Sequence, residues 1–177
     1  MGQMGSATSQ TSPTFESPDA LSAAALSAAN INPTTRLATD YLNHFNEAIM
    51  LLEMIPDMPE CADDFLVWEP LSYPEHFRHS NFKARDLAIA AYDSADPEIR
   101  ARFDGLCDTL TSILTATRDA MGEATQASTR VRLAEQATGW LKPLVAQAGG
   151  VINGATEEQA EDAQPQSDAD LIMSASA

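Results

Sequence analysis

Positive charge is scarce in this chain: Lys and Arg total 10 against 26 Asp and Glu, a formal net charge of −16. All ten basic residues lie between Arg36 and Lys142, and residues 1–77 carry eleven acids against Arg36 alone. A nucleic-acid binder must neutralise phosphates, and attraction to an anionic membrane needs a polybasic segment, so neither is an expected partner. Long apolar runs are missing as well. No stretch approaches the roughly 20 apolar residues that cross a bilayer, so no membrane span is expected. The opening MGQMGSATSQTSPTF has neither the basic nor the apolar region of a secretory signal, although Gly2 and Ser6 fit the N-myristoylation pattern.

Cysteine is limited to Cys61 and Cys107, far apart and in no C-x-x-C pair. A reducing, cytoplasmic location is the expectation that follows. Chemistry-bearing motifs are absent too: there is no G-x-S-x-G elbow, no Walker loop and no G-x-G-x-x-G. The acids between Asp57 and Glu69 lack the ligand order and glycine turn of an EF-hand. No cofactor is implied, and whether the chain is an enzyme is left open, with a non-enzyme the favoured expectation.

What the chain does have is helix-forming composition. Aromatics are 6% and apolar residues 44% of the 177, and the middle is rich in Ala, Leu, Glu, Gln and Arg with few β-branched residues. No alternating strand of useful length is present. An unbroken 4,3 spacing runs from Ile99 to Val145 through Phe103, Leu106, Leu110, Ile113, Thr117, Ala120, Ala124, Ala127, Val131, Ala134, Thr138 and Leu141. Helices pack on helices by such a seam, in a coiled coil or a bundle.

These signals predict an all-α fold, an antiparallel helical bundle of three to four helices. Residues 1–31 are expected to be a disordered Ser/Thr/Ala/Pro-rich arm, because they have little apolar surface to offset the entropy of ordering. The bundle core is placed at 32–121. Asn32 and Pro33 predict a helix to about Ile55. Ser72 and Glu75 stand in capping-box spacing and predict a second helix to about Ser94. Asp96 and Pro97 open a third. Residues 122–148 are either a fourth helix or an extension of the third past the bundle. Gly122 is a tolerable weak point and no turn chemistry marks a reversal, so the extension is favoured, with Pro143 expected to kink or end the helix and Gly139 relieving part of the clash. Residues 149–177 are expected to be a disordered acidic tail, with Leu171, Ile172 and Met173 as a short apolar triplet near its end.

Two sets of residues are candidates for function. Val131, Trp140, Leu141, Leu144 and Val145 form the apolar end of the seam, and a projecting helix would present them to a protein partner or a second copy, with Trp140 as anchor. That makes a non-enzymatic helical adaptor or regulator the favoured reading. The alternative is a histidine-dependent bundle for phosphotransfer or metal binding. In it Asp40, His44 and Glu47 share a helical stripe, and His76 and His79 lie three apart near a helix start. His79 and Lys83 are one turn apart, as a phosphoacceptor with a supporting cation would be. The ExxH pairs of di-iron bundles are missing, so no metal site is expected.

Overall fold

The computed structural model describes residues 21–155. The Gly2–Ser6 modification pattern, the arm up to residue 20 and the acidic tail beyond residue 155 with its Leu171–Met173 triplet lie outside the described residues. Among the described residues there are seven α-helices, rather than three or four, and no strand.

The longest elements form a hairpin. Asp96 accepts hydrogen bonds from the Glu98 and Ile99 N–H groups (2.9 and 3.2 Å) and Pro97 presets the first turn, starting α6 at Pro97–Glu123. Its buried face is Phe103, Cys107, Leu110, Leu114, Thr117 and Met121, a 4,3 repeat. Residues 124–126 reverse the chain, and α7 runs back over Ala127–Ile152, burying Ala134, Ala137, Leu141, Ala148, Val151 and Ile152. Arg102 near the start of α6 donates to the Ala155 carbonyl just past α7 (3.2 Å), which fixes the antiparallel sense.

This corrects the favoured expectation of one helix projecting past the bundle. A continuous helix would leave both apolar stripes in water, whereas folding back buries each against the other at roughly 25 cal/mol per Å². The alanines of α7 allow close approach. The end of α7 also departs from the boundary at 149. Gly149 and Gly150 each cost about 1 kcal/mol of helix relative to Ala. Burial of Val151 and Ile152 and a 2.6 Å bond from the Thr35 hydroxyl to the Ile152 carbonyl carry the helix through them. Pro143 sits inside α7, where the absence of a Cβ on Gly139 one turn earlier lessens crowding.

α2 (Leu42–Met54) lies antiparallel across α7, with Leu42 packed beside Gly149 and Glu53 ion-paired to Lys142. It does not begin at Pro33. The Asn32 side chain accepts from the Thr34 and Thr35 N–H groups (2.9 and 3.0 Å), and Arg36 then takes φ 61°, which ends the turn. A bridge between Ile31 and Ala38 closes this loop, and a 3₁₀ turn at Thr39–Tyr41 leads into α2. Helix α1 (Ala23–Ala28), capped by Ser22, precedes it. Its Leu26, and Ile31 just after it, are buried, so residues 21–31 join the core instead of the expected arm. Their own apolar surface is small, but the rest of the domain supplies the surface against which it is buried.

Three short helices close one side: α3 (Cys61–Leu66), α4 (Tyr73–His79) and α5 (Arg85–Asp93). The capping box forms as its spacing predicts, Ser72 and Glu75 bonding each other's backbone N–H groups. The single helix expected over 72–94 breaks at Ser80, whose hydroxyl bonds the Phe77 carbonyl and accepts from the Phe82 N–H. Phe45, Phe65, Phe77 and Phe103 meet in one continuous core. Among the described residues no helix is long and apolar enough to cross a membrane.

Candidate functional site

The polar candidates converge where the 3₁₀ turn, α2 and α4 meet the connection 67–72. His44, 7% exposed, lies on the inner side of α2. Its Nε2 accepts the Leu71 N–H at 3.0 Å, so the neutral ring carries its proton on Nδ1. Its backbone carbonyl accepts the Trp68 indole N–H at 3.3 Å, and the two rings stack at 4.9 Å. Burial, aided by neighbouring His76, lowers the His44 pKa to about 4. At neutral pH this imidazole is uncharged, and the lone pair it offers to a proton is already used by the chain.

His76 lies at the rim. Its Nε2 is 3.1 Å from Asp40 Oδ2, and the two imidazole rings are 6.1 Å apart. Glu47 and His79, the other two members of the expected cluster, are exposed and take no part. Glu47 projects from the solvent side of α2, and His79 is the last residue of α4. Among the described residues no group of three or more His, Cys, Asp or Glu side chains is arranged to hold a metal ion.

Tyrosines fasten the remaining backbone. The Tyr41 hydroxyl donates to the Leu71 carbonyl (2.7 Å), and the Tyr73 hydroxyl accepts the Ala38 N–H (2.9 Å). Burial pushes both phenols well above their ordinary range. Tyr92 stacks on Tyr73 at 4.5 Å and donates to Asp104 at 3.0 Å, and its pKa is pushed up to about 12, chiefly by burial. The Asp104 carboxyl is itself raised by burial. Cys107 is buried one turn along α6, and desolvation pushes its thiol up to about 12, the opposite of an activated nucleophile. Sequence spacing placed Asp40 and His44 near one another but missed Tyr41, Tyr73 and Trp68. The usable signal was chemical: a buried phenol or indole needs a partner for its polar end.

The second candidate set divides. Leu141 is fully buried in the core, while Val131, Leu144 and Val145 are half-buried beside it. Trp140 alone is open, 54% exposed. Around it the outer face of α7 carries Gln136, Gly139, Pro143, Ala146 and Gln147, all exposed. These positions fall within about 60° of Pro143 at 100° per residue, so they form one face. Between Glu135 and Ala155 the only charged residue is Lys142, which turns to Glu53 of α2.

Comparison with protein families, with characterised proteins and with solved structures finds no match to this chain.

Proposed function

We propose that the protein is a non-enzymatic helical adaptor that self-associates through the outer face of α7. The observation that carries this reading is the exposure of Trp140 at the edge of an uncharged stretch of the outer face of α7. A tryptophan half in water leaves apolar area to be buried, and such residues anchor interfaces. Two copies of a molecule with net charge −16 repel over most of their surface. Between Glu135 and Ala155 the face centred on Pro143 has no charge to oppose, with exposed Arg132 three turns before Pro143 bounding it, which favours a second copy as its occupant. Gly139 helps, because nothing lies within 4 Å of where its Cβ would stand, leaving room beside the tryptophan. A two-fold pairing would set each Trp140 against the small residues of the other α7.

The histidine-dependent alternative has less to support it. His44 is engaged by Leu71, His76 by Asp40, and His79 stands apart from both. Sedimentation of the full chain from low to high micromolar concentration tests the adaptor reading against Trp140→Ser. The expected result is a rise in mass with concentration for the natural chain and a constant monomer for the variant. A monomer at every concentration, or equal association of both, would overturn it.

A further inference from the structure

A second surface lies on α2, away from Trp140. Residues 45–75 contain no Lys, Arg or His. Within them Met50, Met54 and Met58 recur every four residues. The Met58 N–H donates to the Met54 carbonyl (2.8 Å), so a single turn follows the end of α2 and the three fall on one row that winds by about 40° per step. Met50 is 53% and Met58 37% exposed, while Met54 is half-buried against the core. Glu47, Glu53 and Asp57 stand at spacings of three and seven from Met50 and flank the same ridge. Glu53 is neutralised by Lys142, but among the described residues no cation pairs with Glu47, Asp57 or Glu60. Where the ridge ends, Ile55 and Pro59 face Gly122, Ala124, Thr125, Ala127 and Arg130 of the hairpin across a cavity of about 480 Å³, with the Arg130 guanidinium donating to the Ala124 carbonyl (3.2 Å) and paired with Asp63 (3.9 Å).

Apolar side chains rimmed by unpaired acids ask for a ligand that is apolar on one side and cationic at its edges. A second copy does not answer, because its own charge repels. We infer that the Met50–Met54–Met58 ridge and the adjoining cavity dock a basic amphipathic helix of another protein. Its apolar stripe lies on the methionines, its Lys and Arg residues over Glu47, Asp57 and Glu60, and one apolar side chain enters the cavity. Unbranched methionine suits this task because it repacks around differing side chains. This surface is separate from the α7 face, so the two proposals stand or fall independently.

The test uses the full chain labelled with ¹³C at the methionine methyls and three synthetic peptides of equal length. One is a Leu/Lys amphipathic helix, one its Leu/Glu counterpart, and one a Leu/Lys sequence of the same composition without helical periodicity. The amphipathic Leu/Lys peptide is expected to shift the Met50, Met54 and Met58 signals and leave buried Met121 in place. Met50→Gln/Met58→Gln should weaken binding about tenfold through lost apolar contact, and Trp140→Ser should not change it. Glu47→Gln/Asp57→Asn should weaken it at low salt, giving a second variant at exposed positions. Equal binding of the aperiodic peptide, methyl shifts elsewhere than the ridge, or unchanged affinity in the methionine variant would overturn the proposal.

Discussion

Replacing His44 by Gln removes a titrating group from a place where its charged form does not fit. In the folded chain Nε2 is an acceptor for the Leu71 N–H, and protonation would set two donors against each other. The unfolded chain has no such constraint and takes up the proton near the ordinary value of 6.5, whereas the folded chain resists it down to about 4. The unfolded state therefore binds more protons within that window, and stability falls as pH falls through it. Above the window His44 is neutral in both states and contributes no pH dependence; below it both states are charged and the loss is complete. At about 1.4 kcal/mol per pH unit the full loss is on the order of 3 kcal/mol, and about 2 kcal/mol of it has accrued by pH 5. Urea denaturation at about pH 7.5 and about pH 5, on the natural chain and on His44→Gln, isolates this contribution because the carboxylates titrate alike in both. At the higher pH the variant should be the less stable, having lost the ring stack on Trp68 and the fit to Leu71. At the lower pH the gap should close by about 2 kcal/mol. A gap of the same size at both pH values would refute the placing of His44 as a buried, neutral fastener.

Other consequences follow from the same packing. Leu141→Ala should destabilise the protein by about 2–5 kcal/mol in urea, as for a core leucine; a loss below about 1 kcal/mol would return Leu141 to the surface. Thr35→Val removes the donor to the Ile152 carbonyl, should cost about 1–3 kcal/mol, and should speed amide exchange in the last turn of α7. Unchanged exchange there would mean the bond does not hold that end. Spin labels at exposed positions 101 and 153, with Cys61 and Cys107 replaced by Ala, should lie within about 20 Å of one another. One continuous helix would separate them by about 78 Å at 1.5 Å per residue.

Two helix starts were legible in the sequence because they depend on neighbours along the chain, whereas Asn32 and Pro33, read as a third, cap a turn and the helix begins at Leu42. Ser72 with Glu75, and Asp96 with Pro97, act where their spacing says they should. The reversal between α6 and α7 was not legible. Ala124 (φ −72°, ψ 119°) and Gln126 (φ −101°, ψ 132°) turn the chain in extended backbone that any residue adopts, so no glycine or proline is needed to mark it. Arg36 is the opposite case: its φ of 61° would favour glycine, and the arginine there gives no hint of it. The buried face of α6 also lies one position off the 4,3 seam in part. Cys107, Leu114 and Met121 face the core more fully than Leu106, Ile113 and Ala120, because the register depends on which neighbours the helix meets. At the polar cluster, spacing joined Asp40 to His44, but the imidazole that Asp40 meets is His76, 36 residues away. Contacts of that kind follow from tertiary packing, which local periodicity does not encode.

The claim that α7 folds back and offers Trp140 to a second copy is tested most directly by ¹⁹F spectroscopy of the full chain labelled with 5-fluorotryptophan. The two tryptophans give two signals, one from Trp68 in the core and one from Trp140 on the surface. The Trp140 signal is expected to shift and broaden as concentration rises, while the Trp68 signal stays where it is. A Trp140 signal that keeps its solvent-exposed position at every concentration would contradict it.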